Sequence, residues 1–163
     1  MVPKLHTPPE VQLLVNRVMS WADAELKAKG HIPAAAAWLS CNSSQPEFRT
    51  LPAPGDLSVA RQERLLAADL EGPCLRGELV VILLAAPVLY GRRGPGRGSG
   101  EKSEAVRLHV EAANDYCVDI LMPYRIRAAS RWSGGSANRV HFSHPVAQES
   151  DSRFAGAAAV AQD

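Results

Sequence analysis

Apolar and polar residues alternate on both sides of a short polar break between residues 101 and 125. A period of two is typical of strands with one buried face, so this segment predicts a β-hairpin. We expect its turn at residues 113–115, because that register places the apolar residues of both arms on one face. The predicted pairs are Val110 with Val118, Leu108 with Ile120, and Val106 with Met122. A slip of one residue would place Asp119 opposite Val110 inside the core.

The N-terminal region has the period of a helix. Apolar residues recur there at steps of three and four, which predicts a helix over residues 8–29. Thr7 is placed to cap its start, and Glu10 is placed to complete a capping box. Gly30 follows two lysines and supplies the left-handed residue at which such a helix ends.

Shorter patterns predict the remaining elements. The apolar run over residues 79–90 does not alternate, which indicates a central strand covered on both faces. A second helix is predicted to begin at a cap formed by Asp56 or Ser58. Two short strands over residues 35–41 and 47–51 are predicted to pair as a hairpin.

The order of these elements predicts an α+β fold. A helix, two strands, a helix and three strands suit a mainly antiparallel sheet of about five strands, with both helices packed on one face. The element order is similar to that of the roadblock and longin type of profilin-like domain, a likeness that implies a fold and no function. The later segment around Val140 and Phe142 either adds one short strand or packs over the sheet edge.

The same pattern sets the expected boundaries of the domain. We predict that residues 1–146 form a single domain, because the chain is long enough for one core and short for two. Residues 91–103 contain glycines and charges without apolar residues, and we expect a flexible loop there. Residues 147–163 are predicted to be a disordered tail.

Composition narrows the classes of partner. The 163-residue chain has 18 Lys and Arg residues against 17 Asp and Glu residues, so no strong net field attracts nucleic acid or an anionic membrane. Its longest apolar run, at residues 79–90, is shorter than the roughly 20 residues of a membrane-spanning helix. Three widely spaced cysteines and the lack of a secretion signal favour a cytoplasmic protein without a membrane partner.

The hairpin also carries a likeness to a protein family. A charged, serine-containing start, a strand with a histidine and a glutamate, and a second strand ending in Pro-Tyr-Arg resemble a pattern in a family of small uncharacterised bacterial proteins. The matching residues are Lys102, Ser103, His109, Glu111, Asp119, Pro123, Tyr124 and Arg125. The resemblance implies a bacterial protein, and it implies no activity, cofactor or catalytic residue.

The predicted register brings candidate catalytic residues together. His109 lies opposite Asp119, with Cys117 diagonally adjacent to the histidine. A thiol beside an imidazole that a carboxylate orients is the arrangement of a cysteine nucleophile, as in a cysteine-dependent hydrolase or transferase. Diagonal neighbours, however, lie about 7–8 Å apart, and no oxyanion hole is indicated. We therefore favour a charged cross-strand pair on a solvated face of the sheet.

A basic loop suggests a second function. Arg92, Arg93 and Arg97 lie among glycines in the segment 91–100, where they are placed to contact the phosphates of a nucleic acid. Only Tyr90 is available nearby to stack on a base, and the net charge is small. A solvated linker is therefore the favoured interpretation, and nucleic acid is not an expected partner.

The preferred hypothesis is a non-catalytic protein interaction or homo-oligomerisation module. Its surface would be an exposed sheet edge or the aromatic residues Tyr124, Trp132 and Phe142. This function requires no catalytic residue, cofactor or metal. His141 and His144 do not predict a metal site, because residues three apart in an extended segment point to opposite faces. The expected partner is a protein of unknown identity or a second copy of the chain.

Overall fold

The computed structural model describes residues 7–52, 54–91, 102–113, 115–127 and 138–154. The helices are α1 (Pro9–Lys29) and α2 (Val59–Leu75), and a 3-10 turn spans Pro54–Asp56. The strands are β1 (Ala35–Ser40), β2 (Glu47–Thr50), β3 (Leu79–Gly91), β4 (Lys102–Ala112), β5 (Tyr116–Arg127), β6 (Arg139–Phe142) and β7 (Val146–Glu149). In these ranges, neither helix combines the length and the apolar character needed to cross a membrane.

The strands form one antiparallel sheet with β3 and β4 at its centre. Their order is β2-β1-β3-β4-β5-β6, and β7 pairs with β5 further along the same edge as β6. The predicted α+β class and mainly antiparallel sheet are therefore confirmed. Among the described residues the sheet has seven strands rather than about five, since β6 and β7 extend the edge of β5.

Strand β3 is buried on both faces, as its unbroken apolar sequence predicts. Val81, Leu83 and Ala85 belong to the core on one face. Ile82, Leu84 and Ala86 belong to a second core on the other face. Because successive side chains of a strand point to opposite faces, a central strand covered on both sides needs apolar residues at every position.

The two helices lie on opposite faces of the sheet, so the predicted placement of both on one face is wrong. Helix α1 packs against the face that carries Leu83 and Leu108, and α2 packs against the face that carries Ile82 and Leu84. The cause is β3, which needs apolar cover on both sides. The buried apolar residues of the helices are Val11, Leu14, Val18, Ala22 and Leu26 in α1, and Leu66 and Leu70 in α2.

The predicted register of the β4–β5 hairpin is confirmed. The observed pairs include Val110 with Val118, Leu108 with Ile120, Val106 with Met122, and His109 with Asp119. Asp115, at the end of the predicted turn, has φ +59°, a left-handed conformation that aspartate tolerates better than most residues. The register keeps the apolar residues of both arms on the α1 side of the sheet.

The predicted end of α1 and start of α2 are confirmed, but the predicted cap of α1 is wrong. Gly30 has the left-handed conformation that ends α1, and the Ser58 hydroxyl caps the first turn of α2. The N-cap of α1 is Pro8, which makes no side-chain cap hydrogen bond. The side chain of Thr7 instead hydrogen-bonds to Tyr116.

Residues 138–154 follow the outer edge of β5, so the prediction of a disordered tail is wrong as far as residue 154. Strand β6 confirms one of the two arrangements expected around Val140. Strand β7 gives no sequence signal, because all four of its side chains are exposed and no alternation marks it. Beyond β7 the chain turns onto the α2 side, where Phe154 is buried in the core of that face.

Two boundary predictions fall partly or wholly on residues that lie outside the described ranges. In the predicted loop 91–103, residue 91 ends β3, and residues 102 and 103 begin β4. The rest of that loop, and residues 155–163 of the predicted tail, belong to the segments for which the structure gives no description.

We expect Phe154→Ala to destabilise the protein, because the ring is 7% exposed and packs in the α2-side core. Truncating a buried phenylalanine typically lowers the free energy of unfolding by about 3 kcal/mol. Urea unfolding followed by circular dichroism measures this change. Leu75→Ala is the matched control, since Leu75 is 45% exposed and its truncation should change the free energy by about 0.5 kcal/mol or less. Equal stability of Phe154→Ala and the wild-type chain would contradict the packing of this residue.

Candidate functional site

His109 lies near the middle of β4, with its side chain on the α2 side of the sheet. It pairs with Leu84 on one side and with Asp119 on the other. Only 1% of its surface is exposed. The interpretation of a solvated cross-strand pair is therefore wrong for the histidine, because α2 and the end of the chain cover this face.

Both ring nitrogens of His109 contact a carboxylate. Nδ1 lies 2.7 Å from Oδ1 of Asp119, and Nε2 lies 2.7 Å from Oε2 of Glu111. An ionised carboxylate only accepts hydrogen bonds, so an imidazole that bonds to both through its own protons donates from each nitrogen and carries a positive charge. The His109–Asp119 contact confirms the predicted pair, while the contact with Glu111 was not predicted.

These contacts shift the pKa values of the imidazole and of Glu111 in opposite directions. Burial lowers the pKa of His109, but the hydrogen bonds and charges of Glu111 and Asp119 outweigh burial and raise it above the usual value. Burial raises the pKa of Glu111, but hydrogen bonds from His109, Ser152 and the backbone N–H of Arg153 bring it below its usual value. Both shifts favour the charged pair.

Residues 150–154, which we call the C-terminal strap, cover this pair from the edge of the sheet. The Ser150 hydroxyl donates to Oδ2 of Asp119 at 3.1 Å, and its backbone N–H donates to the Cys117 carbonyl, also at 3.1 Å. The Ser152 hydroxyl donates to Oε1 of Glu111. The backbone N–H of residue 153 donates to Oε2 of the same carboxylate at 3.0 Å. The strap therefore donates hydrogen bonds to both oxygens of Glu111, and to the oxygen of Asp119 that does not contact the imidazole.

A second ion-pair group connects α2 to β4 and to the strap. Oε1 of Glu63 accepts a hydrogen bond from Nη2 of Arg107 at 2.6 Å, and Oε2 lies 3.8 Å from Nη1 of Arg153. Glu63 is buried. Sequence reasoning missed this residue, although Glu63 precedes Leu66 and Leu70 at helical steps of three and four and so lies on the buried stripe of α2.

Cys117 lies beside this cluster but is not activated as a nucleophile. It pairs with Glu111, and the ligand atoms of Cys117, Glu111 and His109 lie within 4.8 Å of one another. Burial and the negative charges of Glu111, Asp119 and Asp151 raise the pKa of Cys117 to about 11. A cysteine nucleophile requires the opposite shift. The electrostatics therefore weigh against a cysteine-dependent reaction.

Of the aromatic residues predicted as an interaction surface, Tyr124 is not at the surface. Tyr124 is buried in the α1-side core, and its ring centroid lies 6.1 Å from that of Phe142. Tyr124 is therefore a core residue, which corrects its predicted role. The remaining predicted residues, Trp132, Arg92, Arg93 and Arg97, lie outside the described ranges.

An apolar groove of about 380 Å³ lies on the sheet beside β7. Leu121 in its floor is two residues after Asp119 on β5 and therefore faces the same side of the sheet as the His109 cluster. At its rim, Val146 is 56% exposed. The residues lining the groove are Tyr90, Leu121, Pro123, Ser143, His144 and Val146. The groove and the exposed strand β7 form one continuous surface.

We expect His109→Gln to lower the free energy of unfolding by about 3 kcal/mol, because it leaves two largely buried carboxylates without a cation. The raised pKa of His109 contributes stability that is present below about pH 6.5 and is lost as pH rises through its folded pKa. The lowered pKa of Glu111 contributes stability that is present above about pH 4.5 and is lost as pH falls through its folded pKa. The difference between wild type and variant should therefore be largest between these two values.

Chemical denaturation over a series of pH values measures this difference. A chelator is present so that no divalent metal ion competes with the proton at the site. His141→Gln is the matched control, since His141 is exposed. A stability difference that is the same at every pH, or that grows above pH 7, would contradict a charged imidazole in the folded chain.

We expect Cys117 to react slowly with iodoacetamide at neutral pH. A pKa of about 11 in place of 9.0 lowers the thiolate fraction about 100-fold. Cys41 is exposed and serves as the internal reference. Mass spectrometry of digested samples gives the labelling rate of each residue. Labelling of Cys117 as fast as that of Cys41 would contradict this electrostatic environment and revive the nucleophile hypothesis.

Comparison of the chain with models of protein families, with curated proteins and with solved structures gives no match. The resemblance of the hairpin to the small bacterial proteins therefore stays a prediction, as does the likeness in element order to roadblock and longin domains. The function must be argued from the geometry of the described residues.

Proposed function

We propose that this chain is a non-catalytic interaction domain that associates with a second copy of itself through β7 and the adjoining groove. The exposed edge strand next to an apolar groove is the observation that carries this proposal. The shifted pKa of Cys117 supports it indirectly, because it removes the main support for the catalytic alternative.

The edge strand supports the proposal because its outer side offers backbone groups for pairing. Strand β7 pairs with β5 on its inner side, and the described residues place no further strand beside it. All four of its side chains are exposed. Natural edge strands are commonly protected by lysine or proline within the strand, and the sequence Val-Ala-Gln-Glu of β7 contains neither.

The opposite edge of the sheet is better protected. Strand β2 carries Arg49, which forms a 2.9 Å ion pair with Asp69 of α2. Its Phe48 is covered by the guanidinium of Arg17, which lies 4.8 Å from the ring centroid, and by the ring of Trp21. The contrast between the two edges favours β7 as the one that pairs with another chain.

A second copy of the chain is the occupant that this edge fits best. Two identical edges related by a two-fold axis pair antiparallel, and an axis that passes near Val146 brings the exposed Val146 of each copy beside the groove of the other. Such an interface is self-complementary and needs no additional partner. Its burial of Val146 and of the groove wall supplies the apolar contribution to association.

The short length of the edge strand limits the expected affinity of the dimer. Four residues of β7 and a shallow groove provide less area than the roughly 1,200–2,000 Å² of a stable interface. We therefore expect a reversible dimer with a dissociation constant of about 1–100 µM. Sedimentation velocity over a concentration series that spans this range tests the expectation.

We expect Val146→Lys to shift the protein to monomer over the whole concentration series, because it places a charge at the centre of the interface. Leu13→Lys is the matched control, since Leu13 is 42% exposed and lies on α1, on the other face of the sheet. It should dimerise as the wild-type chain does. A wild-type chain that stays monomeric at all concentrations, or a dimer that Val146→Lys leaves intact, would overturn the proposed function.

A further inference from the structure

The contact between Nε2 of His109 and Oε2 of Glu111 requires a cation. A neutral imidazole has a single N–H and can donate to only one of the two ionised carboxylates. When that proton is on Nδ1, Nε2 and Oε2 present lone pairs to each other at 2.7 Å. Two lone pairs at this distance repel unless a positive charge lies between them. A proton satisfies this requirement at the observed distance, and a metal ion satisfies it once the two ligand atoms move apart to roughly 3 Å.

Asp119 prepares the imidazole for a metal. Oδ1 of Asp119 lies 2.7 Å from Nδ1 of His109 and can accept its proton, and in that tautomer the lone pair of the neutral ring is on Nε2. The Ser150 hydroxyl holds the other oxygen of Asp119. A carboxylate that orients a histidine through its remote nitrogen is a recurrent support of metal-binding histidines.

Glu111 and Cys117 face the same point as Nε2. Ser152 donates to Oε1 of Glu111, and Oε2, which also accepts the backbone N–H of Arg153, lies against the imidazole. The ligand atoms of His109, Glu111 and Cys117 all lie within 4.8 Å of one another. Donors with bonds of about 2.0–2.3 Å to one zinc ion lie roughly 3–4 Å apart, so small side-chain rotations bring the three into range.

We propose that His109 Nε2, Glu111 Oε2 and Cys117 Sγ bind one divalent metal ion of the zinc type. Imidazole, thiolate and carboxylate donors together select a borderline metal over magnesium or calcium, which prefer oxygen alone. Cys117 separates this role from a purely structural one, because its thiol adds nothing to the charged imidazole pair. This inference is independent of the proposed self-association.

The surroundings of the three ligands favour a cation. Asp119 and Asp151 add negative charge near Cys117, and Arg153 opposes it. The metal displaces the proton of the imidazole and that of the thiol, and both protons leave to solvent. Cys117 is only partly buried, so a metal ion can reach the site from solvent at this thiol.

Titration of the full, metal-free chain with Zn²⁺ by calorimetry, and with Co²⁺ by absorption spectroscopy, tests the site. We expect one ion per chain, a thiolate-to-cobalt charge-transfer band, and an apparent affinity that rises with pH because protons are released. Cys117→Ser should abolish the charge-transfer band and weaken zinc binding at least 10-fold. Asp119→Asn should weaken binding by about 10–100-fold while keeping one ion per chain.

Cys41→Ser is the matched control, since Cys41 is exposed and lies outside the cluster. It should leave the affinity and the cobalt spectrum unchanged. Circular dichroism shows whether each variant is folded, and Cys117→Ser is the decisive variant because its partly buried side chain changes little in volume. Absence of zinc binding to the wild-type chain would overturn the proposal. A cobalt band that survives in Cys117→Ser, or one that disappears in Cys41→Ser, would overturn it as well.

Discussion

A buried imidazole between two carboxylates needs a positive charge at its centre, and the α2 side of the sheet is organised around this need. His109 is almost fully buried, while Glu111 and Asp119 retain a small exposed part. Removing such a charge from its partners costs several kcal/mol, because each carboxylate has already lost part of its hydration. The neighbouring groups therefore act to keep the charged form: the strap donates one hydrogen bond to Asp119 and one to each oxygen of Glu111. Burial raises the pKa of Cys117, and the same negative charge raises it further.

Charges removed from water need partners, and the charged residues next to this cluster are paired as well. Strand β4 presents Arg107, His109 and Glu111 on the α2 side of the sheet. The apolar residues of β3 on that side are Ile82, Leu84 and Ala86. Arg107 is matched by Glu63 from α2, and Glu63 in turn lies near Arg153 of the strap. Replacing such groups by apolar residues of similar volume is often neutral or stabilising, so their presence indicates a role other than stability. Defining the position of the strap is one such role, and binding a cation is another.

The sequence predicts the parts of the fold that depend on local periodicity. The hairpin register follows from alternation, because one slip would bury Asp119, and the two-sided burial of β3 follows from its unbroken apolar run. The same run implies cover on both faces, and the prediction of two helices on one face overlooked this constraint. The His109–Asp119 pair was predictable because opposite residues follow directly from the register.

The parts that sequence could not predict depend on contacts distant in the chain. The side chains of Ser152 and Glu111 are hydrogen-bonded although they are 41 residues apart. Polar residues such as Ser150 and Ser152 carry no periodicity, so nothing local distinguishes a strap from a solvated tail. Burial of His109 depends on that strap, and the expectation of a solvated histidine failed for the same reason. Glu63 was detectable in principle, since a charge on the buried stripe of a helix requires a partner.

The polar cluster and the exposed edge are mechanically connected through the backbone. The side chains of β7 are exposed, so the strand gains little from burial and depends on its hydrogen bonds to β5 and on fixed ends. Before β7, the Ser143 N–H donates a hydrogen bond to the Pro123 carbonyl at 2.8 Å. After β7, Ser150 donates from its backbone N–H to the Cys117 carbonyl and from its hydroxyl to Asp119. Phe154 then anchors the strap in the α2-side core. The positive charge of His109 fixes the positions of Glu111 and Asp119, which accept hydrogen bonds from the strap. The strap in turn fixes the end of β7 against β5. A cation at His109 thus stabilises the edge itself, since Asp119 of the cluster is paired with Gln148 of β7.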